Sequence, residues 1–342
     1  MNSIMHRSIA SYCYIFDCLS SFIANHIQFS LYKNLIFTLL FIPHINHAIL
    51  VRLDLFKLGT RYVYIIHEVH IEMPGADFDQ VEAMKSILKF RLEQGSVPLH
   101  LAVEVPSYLN EGFFVYHKVT RDIIPIADQI AHTYSGISAE NIEFRSASGV
   151  AIDILESDES LLKDDSLMHC THTTGNQRWV IDTITFRDLV KELHTLKEQM
   201  QQLIHSYRDR AALAKILTEK YTSILTQHEP PLYALFTKNK LKADMSILKT
   251  ARKLKSKNKD ELATCIGKLF SELFDIHCLG ILYKNDDQDK VLIVGELHAV
   301  WVDSVLKQLG TPCLISYNPG NLTREHLSVL ADYRSARLPD PA

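Results

Sequence analysis

The chain has 342 residues, 47% apolar and 22% charged, which excludes a disordered or collagen-like protein and calls for one large core with insertions or two domains sharing a surface. With 36 basic and 40 acidic residues the formal net charge is −4, too near balance to steer the whole molecule toward nucleic acid. Six cysteines, Cys13, Cys18, Cys170, Cys265, Cys278 and Cys313, lie scattered without a C-x-x-C pair, which argues for reduced thiols over a disulfide scaffold or zinc ribbon.

Between Arg7 and Arg52 only Asp17 and Lys33 carry a formal charge. Residues 34–51 are nearly long enough to span a bilayer, but Pro43, His44, Asn46 and His47 interrupt the apolar run. Tyr12, Tyr14 and Asp17 also break the stretch that a signal peptide needs. Residues 1–58 are therefore expected to form an apolar segment, helical or associated with a membrane through residues 8–51.

Residues 61–67 (RYVYIIH) have the β-branched and aromatic composition of a buried strand. After Pro74-Gly75, Asp77 can cap a helix with Val81, Met84, Leu88 and Leu92 on one face, and Gly95 stops it. Pro98 then opens a second strand, LHLAVEV, and NIEFR (residues 141–145) reads as a further strand-like segment. An acidic loop follows (Asp153, Glu156, Asp158, Glu159, Asp164, Asp165), then a helical stretch over 184–228, the Pro230-Pro231 break and a helix pair over 240–273.

The run 238–259 carries nine basic residues against one acid, Asp244, and as a basic helix could touch an anionic membrane surface. No aromatic residue interleaves in it, so no nucleic-acid partner is expected. Residues 290–295 (KVLIVG) then read as a strand, with Val302, Val305, Leu306 and Leu309 on one face of the following helix, Gly310 as its stop and Pro312 opening CLISY. YIIHEVH and LIVGELH match as an apolar run, a variable residue, Glu, an aliphatic residue and His.

The expected fold is thus α/β: a mostly parallel sheet core from two pseudo-repeated strand-helix-strand halves flanked by helices, with a helical insertion or cap. The expected divisions are the apolar segment 1–58, a first half-core 59–155, an acidic loop and helical insertion 156–274, and a second half-core 275–342.

If extended geometry persists through each motif, Glu68 and His70 share one side, as do Glu296 and His298, at the carboxyl ends of buried strands, where open parallel sheets bind ligands. Glu104 ends an apolar strand, where an unpaired carboxylate would be costly, and Arg145 is the natural partner or an anion-binding group. The spacing in His67-Glu68-Val69-His70 is one residue short of H-E-x-x-H, and the segment reads as strand, so zincin chemistry is not expected. His169-Cys170-Thr171-His172 holds metal-ligand types without a second pair nearby and reads as a plain loop. There is no G-x-S-x-G elbow, no phosphate-cradling G-x-x-x-x-G-K and no G-x-G-x-x-G fingerprint.

These motifs resemble the superfamily that joins TraB/Tiki proteases, erythromycin esterases, ChaN-like haem-binding proteins and a domain of some bacterial mitogenic toxins. Its pattern is G-x-x-H after the first strand, Glu at the end of the next, Arg further on and a second G-x-x-H after a late strand. Gly295-Glu296-Leu297-His298 fits the late motif in full, with the region of Asp275 and Leu279 in keeping; Glu104 and Arg145 take the intermediate places. In the first motif His67 stands in place of the glycine, and crowding of that turn is expected to follow.

The resemblance implies hydrolysis of an ester, amide or peptide bond in a small-molecule or peptide substrate. Water would be activated by His70 or His298, directly or through a divalent metal held by His70, His298 and Glu104, with Arg145 facing the oxyanion. Haem or small-ligand binding without turnover is the alternative the resemblance leaves open, and a toxin-like effector whose helical block engages a partner or membrane is another. A cytoplasmic and a secreted, effector-like address are both compatible with the chain.

Overall fold

The computed structural model describes residues 48–70, 76–93, 98–104, 108–109, 136–157, 162, 171–174, 177–284, 287–320 and 322–331. All described residues belong to one compact unit, Asn46–Ala342. The expectations for residues 8–47 lie outside the described residues.

Strands β1 (Ala48–Leu58) and β2 (Arg61–His70) form an antiparallel hairpin that turns at Gly59, whose φ of 65° favours a residue without Cβ. Residues 48–58 are therefore a strand of the sheet and not part of a helical segment. Helix α1 (Ala76–Glu93), β3 (Leu99–Val103), β4 (Tyr108–Leu109), β5 (Ile137–Asn141) and α2 (Ala147–Glu156) follow. Next come β6 (Thr171–Thr174), β7 (Gln177–Val180), α3 (Phe186–Ser206), α4 (Ala211–Gln227), α5 (Glu229–Lys238), α6 (Ile247–Ala251) and α7 (Ser256–Tyr283). The chain returns to the sheet with β8 (Asp289–Gly295), α8 (Glu296–Gln308) and β9 (Cys313–Tyr317), then α9 (Arg324–Leu327).

The fold is α/β. Six strands lie in the order β5-β3-β8-β2-β1-β9, and only β1 runs against the others; β4, β6 and β7 make a separate antiparallel sheet. Strand alternation sorts the core into two layers. Tyr64, Ile66, Leu101, Val103, Val291 and Ile293 pack with Met84 and Leu88 of α1, whereas Val63, Ile65, Ala102, Leu292 and Val294 pack with α2, α7 and α8.

Both strand-helix-strand halves are present, but neither closes a neighbouring pair: β8 lies between β2 and β3, and β2 and β1 lie between β8 and β9. The two crossovers run in opposite directions along the sheet. Right-handed connections running in opposite directions must lie on opposite faces, and α1 and α8 do so. The adjacent parallel strands β2 and β8 therefore send their chains to opposite faces, the arrangement that opens a crevice beyond strand ends.

Several boundaries differ from expectation. Asp153 and Glu156 belong to α2, not to a loop, because its apolar residues Val150, Ala151, Ile154 and Leu155 face the core. The 184–228 stretch is two helices that part at residues 207–210, and Pro230-Pro231 sits in the first turn of α5, where a missing N–H costs nothing. Only residues 137–141 are strand, so Arg145 lies beyond β5 at the entry to α2. The run 238–259 is not one helix; it spans the end of α5, α6 and the start of α7. Within it Lys238 pairs with Glu261, Lys249 pairs with Asp182, and Lys259 is buried. The division expected at 274/275 falls inside α7, which runs unbroken for 28 residues. No helix among the described residues is long and apolar enough to cross a membrane.

Candidate active site

Three neighbouring strands, β3, β8 and β2, end together, and the site forms on the helical-block face of the first two. Glu104 directly follows β3, and its N–H still donates to Ile293 O (2.9 Å), so the backbone ladder fixes where the carboxylate begins. Its Oε2 accepts from Gly295 N–H (2.9 Å), and its Oε1 accepts from Arg145 Nη2 (2.5 Å). Arg145 also donates from Nε to Glu143 Oε1 (2.9 Å) and from Nη2 to Glu143 Oε2 (2.5 Å), and its guanidinium lies 4.6 Å from the Phe274 ring centre. Burial alone would push the Arg145 pKa down, but Glu143 and Glu104 hold it above its ordinary range.

His298 occupies the first turn of α8, with Gly295 as N-cap. Its Nδ1 lies 2.7 Å from Asp275 Oδ1, and its Nε2 lies 3.9 Å from Glu104 Oε1, too far for a direct hydrogen bond. Since an ionised carboxylate only accepts, Nδ1 carries the proton and Nε2 keeps the basic lone pair. Phe274 stacks edge-on against the imidazole at 4.8 Å. Burial, with Glu104 and Asp275 nearby, pushes the Cys278 thiol well above its ordinary range, so it stays protonated and inert.

A chain of charged groups continues outward from Asp275. Lys220 Nζ lies 3.5 Å from Asp275 Oδ2 and donates to Glu272 Oε2 (2.7 Å), while Glu272 Oε1 lies 2.9 Å from His228 Nε2. Burial raises the Glu272 pKa, but Lys220 and His228 bring it below its ordinary value.

The structure thus brings together His298, Glu104 and Arg145 of the six residues singled out from the sequence. Glu296 does not join them. The extended geometry ends at Gly295, and in a helix residues two apart point about 200° apart, so Glu296 is exposed while His298 is buried. Glu68 pairs in register with Gly295, but strand alternation puts it with Tyr64 and Ile66 on the α1 face, away from His298. His70 ends β2 opposite Ala48; its side chain lies outside the described residues, as do those of His169, Cys170, Thr171 and His172.

The crowding expected at His67 does not arise, because β2 continues past it as regular strand. His67 is fully buried, with Nε2 2.9 Å from Asp54 Oδ2, and Asp54 also pairs with Arg52 and accepts from Ser316 Oγ.

Compared with known protein families, curated proteins and solved structures, the chain matches none. The chemistry rests on the side chains alone. Sequence reading reached the Asp275 region only through the resemblance and missed Lys220, Glu272 and His228. Asp275 had a signal of its own: it interrupts the apolar run of α7, where a lone carboxylate would be costly, the argument that marked Glu104.

Among the described residues no group of three His, Cys, Asp or Glu side chains is arranged to hold a metal ion. Glu104, one of the expected ligands, already has its two oxygens engaged by Arg145 and by Gly295 N–H. A cation there would compete with a guanidinium for Glu104, and the side chain of His70, another expected ligand, lies outside the described residues.

Proposed function

We propose that the protein is a hydrolase of an ester, amide or peptide bond in which His298 is the general base. The observation that carries the proposal is the placement of His298 between two carboxylates beyond the ends of parallel strands, Nδ1 bound to Asp275 and Nε2 facing Glu104 across a gap. Asp275 fixes the tautomer and stabilises the imidazolium that forms when Nε2 takes a proton from water. The first turn of α8 contains backbone N–H groups without intrahelical partners, and its positive dipole end favours the oxyanion that develops as the water adds. Arg145, bound to Glu104 and Glu143, holds the Glu104 carboxylate against Gly295 and keeps the local charge balanced.

The test is turnover of a panel of aryl esters, chromogenic amides and short peptides by the purified chain, beside His298→Gln. Turnover of one class that the variant lowers at least a hundredfold supports the proposal. No turnover across the panel, or turnover that the variant leaves intact, overturns it.

A further inference from the structure

A second constellation lies on the same face of β3, four residues before Glu104 and so roughly 13 Å away along the strand. His100 of β3 stands in register with Ser138 of β5, and its Nδ1 lies 2.7 Å from Ser138 Oγ; its Nε2 lies 3.0 Å from Glu140 Oε1. The hydrogen bond from His100 is the largest influence on Glu140 and brings its pKa below the ordinary value, so the carboxylate is ionised and can only accept. Nε2 must then carry the proton, and Nδ1 is left to accept from the Ser138 hydroxyl. Carboxylate, imidazole and hydroxyl thus run in the order and protonation state that make a serine nucleophilic.

We propose that Ser138, His100 and Glu140 form a second reactive centre, an acyl-accepting serine separate from the His298 site. The surroundings fit that chemistry. Ser138 is partly exposed and the Glu140 side chain is 40% exposed, so reagents can approach from the sheet edge. Among the described residues β5 pairs with no strand but β3, so its other side is an edge of the described sheet. Ile142 N–H donates to Val103 O, and by the alternation of a parallel ladder residues 140 and 138 also face β3. The Ala139 N–H, immediately after the nucleophile, therefore points to that edge, where it can meet a carbonyl oxygen.

In the reaction, Ser138 Oγ bonds to the acyl carbon as its proton passes to His100 Nδ1. The bond to the leaving group then breaks, and His100 returns the proton to that group. Water repeats the two steps, releasing the acid and restoring the hydroxyl. The substrate class is an activated ester or thioester of a small acyl group, since the hydroxyl lies between strands and not on a projecting elbow.

The experiment treats the full chain with an alkyl fluorophosphonate, which bonds phosphorus to a nucleophilic serine and expels fluoride, and locates the adduct by peptide mapping. The expected result is an adduct on Ser138 whose rate of formation falls at least thirtyfold in His100→Gln and severalfold in Glu140→Gln. Peptide mapping reads Ser138 directly, so the outcome is independent of whether His298 catalyses anything. Because His100→Gln can disturb the sheet, thermal melting and the isosteric Glu140→Gln accompany it. No adduct on Ser138, or an adduct that forms equally fast in the folded Glu140→Gln chain, overturns the proposal.

Discussion

Asp275 and His298 meet at 2.7 Å although one lies on the helix that leads toward β8 and the other on the helix that leaves it. Strand β8 is fully sandwiched between them in sequence, so the contact closes only when α7 and α8 both pack on the same face. Asp275→Asn tests the contact. An amide can donate to Nδ1 instead of accepting from it, which selects the wrong tautomer. The expected loss in kcat is on the order of 10²–10⁴, with the urea midpoint little changed. A loss under threefold would remove Asp275 from the mechanism.

Lys220 reaches Asp275 Oδ2 at 3.5 Å and Glu272 at 2.7 Å, so it holds the oxygen that His298 leaves free. Lys220→Met removes a cation near an imidazole that also faces Glu104, Asp275 and Arg145. Asp275 then loses the partner on its second oxygen, and kcat is expected to fall on the order of tenfold with the urea midpoint little changed. Lys220→Arg should restore it. A loss in kcat that Lys220→Arg does not recover would remove the cation from the mechanism.

Strands β2, β3, β8 and β9 were legible from their apolar runs and from the punctuation by Pro98, Gly310 and Pro312, whereas β1, interrupted by Arg52, Asp54 and Lys57, and the polar β5 were not. The Glu104–Arg145 pair was legible for an energetic reason: a carboxylate at the end of LHLAV needs a partner. What misled was periodicity. The matching EVH and ELH triplets invite one geometry, yet β2 runs through the first as strand, while α8 begins inside the second. That switch sends Glu296 to solvent and His298 inward. Lys220 and His228 gave no local sign, since a polar residue within or at the end of a helix looks the same whether it faces water or a buried carboxylate.

Arg145 lies between Glu104 and Glu143, both mostly buried. Arg145→Met would leave two carboxylates sharing a desolvated corner without a cation. The expected destabilisation is about 3–5 kcal/mol, the range for removing one partner of a buried ion pair. Arg145→Lys should recover only part, because a point charge cannot reproduce the fork that meets both Glu143 oxygens. Urea unfolding of the two variants checks this. Wild-type stability in Arg145→Lys would mean that the guanidinium geometry contributes nothing beyond its charge.

His277, on α7 beside Phe144 and Phe274, is held neutral, its pKa lowered from 6.5 to about 4 by burial, while Glu140 opposes the shift. The unfolded chain takes up this proton below pH 6.5, whereas the folded chain resists until about pH 4. The stabilisation from His277 is therefore present above pH 6.5 and lost as pH falls toward 4, by roughly 3 kcal/mol at most. Glu192 works in the opposite sense. Burial pushes it up to about 7 despite N–H donation from Ser146 and Ser148, so its contribution is lost as pH rises from its ordinary 4.5 through that value. Between pH 4.5 and 6.5 the two contributions oppose each other, and the wild-type curve alone cannot separate them. Comparison with His277→Gln isolates the histidine: the variant should be less stable at pH 7 and should close the gap as pH drops to 4.5. A gap that stays constant across that range would show that the imidazole does not titrate differently in the folded state.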